Sequence, residues 1–182
     1  ETFRQTLGVA VIGTVLCLLI GFPFAYWMAV KVSPKWRGVA LGLVIVLVYL
    51  GVAHAQPPKD GQLRLVIDIG GGSTECIIGS GLDAIERESL QAGCVASTRR
   101  FFPNGKLSRK RWKDAMTEVT AEFQQFASAY RALGWDEAIG SSGTNKAIGE
   151  ICAAMKLTKG AVTAEALPLV RERLLQAERI ED

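Results

Sequence analysis

The first third of the chain is dominated by an apolar run without a single charge. Residues 5–30 contain no charged side chain over 26 positions, and about 20 apolar residues suffice to cross a membrane as a helix. Tyr26 and Trp27 near the end of this run suit the membrane interface, and three basic residues follow it. We therefore predict a transmembrane helix over residues 5–30. A secretory signal peptide is one alternative, but it would place its positive charges before a shorter apolar core. A buried core helix is the other, although such helices rarely lack every charge over this length.

A second apolar run, residues 39–53, does not point to one structure. Its 15 residues are short for a membrane span. Three interpretations stay open, namely a truncated membrane helix, an interfacial helix, or a buried strand that leads into the next domain. Lys31, Lys35 and Arg37 lie between the two runs and are expected on the cytoplasmic side. If the second run does not cross back, the protein is associated with the inner membrane and the rest of the chain lies in the cytoplasm.

Beyond Ala55 the pattern changes to the short elements of an α/β domain. A segment rich in Pro and Gly, residues 55–62, marks the entry to this domain. Three β-branched or alternating segments follow and predict strands; they cover residues 64–70, 74–81 and 84–93. A fourth strand is predicted over residues 136–143.

Three helices complete the predicted domain. Apolar side chains recur every three or four residues from Ser108 to about Leu133, which predicts a helix with one stripe against the sheet. The stripe residues expected to pack on the sheet are Trp112, Met116, Phe123 and Tyr130. A second helix is predicted over residues 146–155, and a last one after a Thr163 cap. The order βββαβα indicates an α/β domain with a mixed sheet.

Composition and charge exclude several classes of protein. Apolar residues make up 49% of the chain and charged residues 21%, which excludes a disordered chain. The net charge of +3 comes from residues 1–53, because residues 54–182 hold 17 basic and 17 acidic side chains. A neutral body argues against nucleic acid as a partner. Four dispersed cysteines and one histidine exclude a Cys/His zinc module.

The segment between the first two strands carries the strongest chemical signal. Its middle consists of three glycines and two hydroxyl residues, Gly70, Gly71, Gly72, Ser73 and Thr74. Glycines let the backbone approach a ligand closely, successive N–H groups can converge on one anion, and the hydroxyls add donors. Asp68 and Glu75 at its two ends are hard oxygen ligands suited to Mg²⁺ held together with phosphate. A plain hairpin turn is the alternative.

A second candidate lies where the fourth strand meets the next helix. Residues 140–146, GSSGTNK, end that strand and open that helix, with Gly143 and Thr144 as the candidate phosphate ligands. Helix N-termini attract anions through their free N–H groups. Ser and Thr also cap helices routinely, which is the alternative. Within one domain with the glycine segment, this junction is a candidate second wall of a phosphate site.

At these residues a resemblance becomes specific. DIGGGSTE, together with VYLGVAH before it and QAGCVASTRRFFPNGKLS and GWDEAIGSSGTNKA after it, resembles the exopolyphosphatase / guanosine pentaphosphate phosphohydrolase (Ppx/GppA) family over residues 48–182. The resemblance implies part of an actin-like, ribonuclease-H-like ATPase domain. It also implies Mg²⁺-dependent hydrolysis of phosphoanhydride bonds in polyphosphate or guanosine pentaphosphate. Asp68–Glu75 would be the family's second phosphate loop, with Asp68 and Glu75 near the magnesium and Gly143 and Thr144 in the same cleft.

Residues 1–47 resemble something else, the membrane subunits of polyamine-type ABC transporters. The chain thus looks chimeric, with a permease-like segment over 1–47 and a phosphatase-like fragment over 48–182. The resemblance implies that residues 48–182 lack the family's first phosphate loop. It also leads us to expect no general-base glutamate in this sequence, since Glu1 and Asp60 are the only acids up to residue 60. No catalytic residue is identified, and weak or absent activity is expected. A transporter fragment and a non-catalytic, membrane-tethered phosphate-binding domain are the alternatives, and a homodimer is a further partner hypothesis.

Overall fold

The computed structural model describes the backbone of residues 34–180 and, before them, only positions 15, 19, 21–23, 26, 27 and 31. Side chains in the helix that begins at Pro34 are described from residue 42 onward. The predicted transmembrane helix over 5–30, and with it most of the permease-like segment over 1–47, lies outside the described residues. No helix within the described part is long and apolar enough to cross a membrane. The chain forms two compact units, residues 1–44 and 45–182, and the second contains the sheet.

The second apolar run forms a helix, α1 (Pro34–Ala55). Proline is favoured at the first position of a helix, and Pro57 and Pro58 follow its end. Within residues 45–182, Ile45, Tyr49 and Ala53 recur every four residues and are buried in a cluster with the sheet. The interpretation of residues 39–53 as a buried strand is therefore wrong, and this end of the run packs as a domain helix.

The sheet has four strands in the order β3-β2-β1-β4. They are β1 (Leu63–Ile69), β2 (Thr74–Ser80), β3 (Asp83–Leu90) and β4 (Glu137–Ser141). The first three strands pair antiparallel through tight connections, whereas β4 lies parallel to β1. The predicted mixed α/β sheet and all four predicted strands are confirmed. The parallel pairing brings the carboxyl ends of β1 and β4 to the same edge of the sheet.

Helices pack on both faces of this sheet. One face presents Val66 and Ile77 to α1, and the other presents Leu65 and Ile78 to α3 (Arg109–Leu133). Cys76 lies on the α3 face and its carbonyl accepts a hydrogen bond of 2.7 Å from the Tyr130 hydroxyl. Burial, with the nearby carboxylates of Glu75 and Glu88, raises the pKa of the Cys76 thiol to about 11. This thiol therefore stays protonated at neutral pH and acts as a core side chain.

The predicted long helix begins where the sequence indicates, but its stripe reaches beyond the sheet. Ser108 caps α3, accepting a hydrogen bond of 3.3 Å from the Arg111 backbone N–H. Tyr130 is buried and Phe123 packs beside it, as predicted. Met116 is 51% exposed, so its predicted sheet contact is wrong, and Trp112 instead packs against the Phe102 ring. A 25-residue helix is about 37 Å long, whereas seven-residue strands span only about 23 Å.

Three further helices and one short turn complete the domain. They are α2 (Cys94–Phe101), a 3₁₀ turn (Pro103–Gly105), α4 (Ser142–Ala154) and α5 (Ala166–Ala177). The helix α2 was not predicted. The last helix begins near Thr163, whose hydroxyl accepts a hydrogen bond of 3.3 Å from the Ala166 N–H. Cys152 of α4 and Val170 of α5 are buried together in a separate small core.

Candidate phosphate-binding site

The strand register places the two predicted metal ligands side by side. Asp68 near the end of β1 lies opposite Glu75 on β2 and opposite Ser141 on β4. Residues directly opposite in neighbouring strands project from the same face, with Cβ atoms roughly 5 Å apart. Ser89 on β3 extends this row, and its hydroxyl donates a hydrogen bond of 3.0 Å to Glu75 Oε1. Two carboxylates and a hydroxyl thus meet at one edge of the sheet.

The carbonyl groups of the glycine turn between β1 and β2 are bound by α2. Gly70 O accepts from the Cys94 N–H, Gly71 O from the Val95 and Ala96 N–H groups, each at 2.9 Å, and Gly72 O from the Gly93 N–H at 3.1 Å. The first N–H groups of a helix have no partner inside the helix. The turn therefore caps α2, and α2 in return holds the turn in one orientation.

Most amide N–H groups of the same turn have no hydrogen-bond acceptor among residues 34–180. Gly70 N–H bonds Ser73 O at 2.9 Å, but within residues 34–180 no acceptor binds the N–H groups of Gly71, Gly72 and Ser73. A Cβ atom added at Gly72 would meet nothing within 4 Å, and one at Gly71 would meet only Val95. None of the three glycines has a φ in the left-handed region. The glycines are thus not required by a plain hairpin turn; they leave space beside three free donors.

Thr74 does not serve as the predicted hydroxyl donor to a ligand. Its side chain is buried and its hydroxyl donates to Ala92 O at 2.9 Å. Thr74 instead ties the start of β2 to the segment before α2. The Ser73 hydroxyl, half-buried, makes no hydrogen bond to any described residue and remains available.

The second predicted loop is a sharp junction at which β4 runs directly into α4. Ser142 has a left-handed φ of 74°, which is strained for a residue with a side chain. Asn145 Nδ2 donates to Ile67 O at 3.0 Å and to Ser141 O at 2.8 Å, which fixes the start of α4 to the end of β1. Only glycine fits at Gly140, because a Cβ there would lie 2.8 Å from Asn145 Cγ.

The start of α4 is not capped in the way the alternative interpretation supposed. Ser141 occupies the cap position without a side-chain hydrogen bond to the helix. Gly143 faces open space and helps line a cleft of 1030 Å³ along β4, whereas Thr144 is half-buried. Residues 68–75 do not line this cleft. Asp68 and Glu75 of this segment lie beside it, in the row of paired residues at the ends of the strands. The two loops therefore meet at the pair Asp68 and Ser141.

Comparison with known proteins assigns the chain to a protein family. The model of the Ppx/GppA phosphatase family matches residues 46–182. The chain belongs to the Ppx/GppA phosphatase family. Relatives named guanosine-5'-triphosphate,3'-diphosphate pyrophosphatase are 42% identical over 130 residues in Aeromonas hydrophila and 37% identical over 136 residues in Photobacterium profundum, covering 71% and 75% of this chain. The chain spans only 25% and 27% of those two relatives, and 40% of a third relative, from Haemophilus influenzae, which is named as an exopolyphosphatase.

A solved structure agrees with the Ppx/GppA assignment at the level of the fold. The crystal structure of an exopolyphosphatase from Cytophaga hutchinsonii superposes with a TM-score of 0.56 at 24% identity, covering 74% of this chain and 45% of that one. The family match begins at residue 46. The resemblance of residues 1–47 to a transporter subunit stays a prediction.

Sequence reasoning placed Ser141 and Asn145 in the second candidate segment without assigning them a contact, and it missed Gly93 altogether. Ser141 and Asn145 stand in the segment GWDEAIGSSGTNKA, but only the parallel pairing of β4 with β1 shows what they contact. Gly93 lies behind the glycine turn, where a Cβ would come within 2.5 Å of the backbone of Gly71 and Gly72. No local sequence pattern signals such a close approach between two loops.

Proposed function

We propose that this chain binds the terminal phosphate of polyphosphate or of guanosine pentaphosphate and serves its hydrolysis. In this reaction water adds to the terminal phosphorus, and the bridging oxygen leaves with the shortened substrate. Family membership supports the class of reaction, and two relatives carry the name of a guanosine pentaphosphate-type pyrophosphatase. The observation that carries the proposal is the set of unpartnered N–H groups of Gly71, Gly72 and Ser73.

These donors suit a phosphate group for a physical reason. The three N–H groups belong to consecutive residues of one turn, where backbone amides can bind a single anion, and hydrogen bonds to charged groups contribute about 1.5–3 kcal/mol each. Because α2 already binds the carbonyls of the turn, the amides are preorganised and need not reorient when the anion arrives. The free Ser73 hydroxyl adds a fourth donor, and the N-terminus of α4 lies next to the same row of residues.

The donor set also fits a divalent metal ion. Mg²⁺ in phosphate-handling sites takes one or two carboxylates and completes its shell with phosphate and water, and Asp68 and Glu75 offer such a pair. When bound, the ion would neutralise charge on the phosphoryl group. The hydrogen bond from Ser89 fixes one oxygen of the Glu75 carboxylate, Oε1, and leaves Oε2 for a metal ion. No general base is assigned, so phosphate binding is a sharper test than turnover.

Replacing Gly72 with valine is expected to weaken tripolyphosphate binding at least tenfold. The new side chain would fill the open space beside the three amides, where a Cβ meets no protein atom. Folding should be little affected, since exposed substitutions without contacts usually change stability by about 0.5 kcal/mol or less. Isothermal titration with tripolyphosphate and Mg²⁺ measures the affinity.

The matched control is Gly51→Val, the same substitution on the exposed side of α1, where a Cβ also meets nothing within 4 Å. It should leave the affinity unchanged. Equal affinity in Gly72→Val and in the unaltered chain would show that the turn is not a phosphate site. Binding without any release of phosphate would favour the non-catalytic alternative.

Asp68→Asn is expected to remove the dependence of phosphate binding on Mg²⁺. The amide keeps the size of the side chain but loses the charge that a hard cation requires. Titrations with Mg²⁺ and with excess chelator should differ in the unaltered chain and coincide in the variant. The control is Asp136→Asn, which changes a carboxylate that accepts a hydrogen bond from the Leu63 N–H at the other end of β1. Mg²⁺ dependence that survives in Asp68→Asn would exclude Asp68 as a ligand.

A further inference from the structure

The row of polar side chains at the ends of the strands contains two carboxylates and no cation. It runs across the sheet from Ser89 through Glu75 and Asp68 to Ser141. Among the residues that the structure describes, neither carboxylate forms an ion pair. Like charges directly opposite each other on neighbouring strands destabilise a sheet. A cation bound between Asp68 and Glu75 would remove this repulsion.

The hydroxyl of Ser89 holds the carboxylate of Glu75 in one orientation. Ser89 pairs with Glu75 in the register of β2 and β3, and its hydroxyl donates to Glu75 Oε1 at 3.0 Å. A carboxylate that chelates an ion through both oxygens must turn both of them toward that ion. The hydrogen bond opposes such a rotation, because it ties one oxygen to the neighbouring strand.

The sheet does not need this hydrogen bond to keep β3 in place. The two strands are paired along their whole length, from Thr74 opposite Leu90 to Ser80 opposite Asp83. Leu90, the residue next to Ser89, is buried and anchors that end of β3. Ser89 itself is exposed. Its hydroxyl therefore acts on the carboxylate of Glu75 more than on the pairing of the strands.

Two common divalent cations differ in what they require of a carboxylate. Mg²⁺ demands a nearly ideal octahedron with oxygens at about 2.0–2.1 Å and is usually bound through one or two carboxylates, phosphate and water. Ca²⁺ takes about 6–8 oxygens at longer distances and accepts a carboxylate through one oxygen or through both. A glutamate tied at one oxygen suits Mg²⁺, whereas a glutamate free to rotate also offers the two-oxygen ligation that Ca²⁺ accepts.

We propose that Ser89 is a positioning residue that makes the metal site beside the glycine turn select Mg²⁺ over Ca²⁺. The proposal rests on the proposed function, because it takes Asp68 and Glu75 as the metal ligands. By holding Oε1, Ser89 restricts Glu75 to ligation through Oε2. Without the hydroxyl, Glu75 is free to rotate and to chelate an ion through both oxygens, which disfavours the compact octahedron of Mg²⁺ and favours the larger shell of Ca²⁺.

The test compares Ser89→Ala with Ser89→Thr and with a matched control, Ser80→Ala. Threonine keeps the hydroxyl and suits a strand. Ser80 lies at the other end of the same pair of strands, opposite the carboxylate of Asp83, and its hydroxyl makes no hydrogen bond to a described residue. Mn²⁺ accepts the same oxygen ligands as Mg²⁺, and the electron paramagnetic resonance signal of free Mn²⁺ reports how much is bound. Competition with Mg²⁺ and with Ca²⁺ then gives both affinities.

Ser89→Ala is expected to weaken Mg²⁺ binding and to leave Ca²⁺ binding equal or tighter. Loss of a hydrogen-bond partner of a ligand typically changes metal affinity about 10–100-fold, so we expect the preference for Mg²⁺ over Ca²⁺ to fall about tenfold. Ser89→Thr and Ser80→Ala should keep the preference of the unaltered chain. A merely structural role for Ser89 would lower both affinities in parallel. That result, or an unchanged preference in Ser89→Ala, would overturn the proposal.

Asp68→Asn in the same competition separates this proposal from the proposed function. If Asp68→Asn loses Mn²⁺ while Ser89→Ala keeps the preference for Mg²⁺, the role of Ser89 is overturned and the metal site of the proposed function stands. If the unaltered chain binds no Mn²⁺, or if Asp68→Asn binds it as tightly, the metal site itself is wrong and the selectivity assigned to Ser89 is refuted with it.

Discussion

Gly93→Ala is expected to destabilise the domain by about 3 kcal/mol and to abolish phosphate binding at the glycine turn. A Cβ at this position would lie 2.5 Å from backbone atoms of Gly71 and Gly72. Backbone cannot move aside as a flexible side chain can, so α2 must separate from the turn. Overpacking of this kind costs about 1–3 kcal/mol. The hydrogen bonds from Gly93, Cys94 and their neighbours, each with a net contribution of about 0.5–1.5 kcal/mol, are weakened as well.

Urea unfolding followed by circular dichroism measures this loss, and Gly72→Ala is the matched control. The control adds the same methyl group to the same pair of loops, but on the open side of the turn. Its stability should stay within about 0.5 kcal/mol of the unaltered chain. Equal unfolding midpoints for Gly93→Ala and Gly72→Ala would show that the close packing of α2 on the turn does not stabilise the domain.

This packing also shows why α2 could not be predicted. Its eight residues bury no side chain completely and form only about two turns, which is too short for hydrophobic periodicity to identify a helix. The helix forms because carbonyl groups of Gly70, Gly71 and Gly72, more than 20 positions earlier, accept its first N–H groups. A helix specified mainly by tertiary caps leaves little trace in its own residues.

The apolar run at 39–53 illustrates a different limit. Its residues are apolar on all sides, so periodicity could not separate a helix from a strand. Packing decides the matter, because Ile45, Tyr49 and Ala53 fit one helical face against the sheet. Periodicity did locate α3, but it could not show that the sheet ends before Met116.

The candidate site was predictable where its residues are local in sequence. Asp68, the glycines and Glu75 lie within eight positions, and the chemistry of these residue types is enough to indicate an anion and metal site. The contribution of Ser141 depends on a parallel pairing between residues 73 positions apart. The burial of Thr74 depends on Ala92, which its own neighbourhood does not reveal. The sequence thus indicated both loops, and the register of β4 showed that they meet at Asp68 and Ser141.

A buried ion pair joins the same two strands, and Glu137→Ala is expected to cost about 3 kcal/mol of stability. Arg64 on β1 has a side chain only 4% exposed, and its Nε donates to Glu137 Oε1 on β4 at 2.8 Å. A second guanidinium nitrogen donates to Gln56 O. Removing one partner of a buried pair leaves an uncompensated charge, at a cost of about 3–5 kcal/mol. We expect the lower end because Glu137 itself is 35% exposed.

A double-mutant cycle with Arg64→Met distinguishes the stranded charge from a general loss of packing. The double variant Arg64→Met, Glu137→Ala should recover most of the lost stability, whereas Glu150→Ala, which breaks an exposed pair with Lys146 at 3.8 Å, should change little. A double variant no more stable than Glu137→Ala would contradict the argument.

The ion pair also bears on phosphate binding, because it joins the two strands that carry the site. Arg64 pairs with Glu137 four residues before Asp68 pairs with Ser141, on the same two strands. A loosened pair therefore lets β4 shift, and phosphate affinity should fall in Glu137→Ala to a degree that the double variant partly restores.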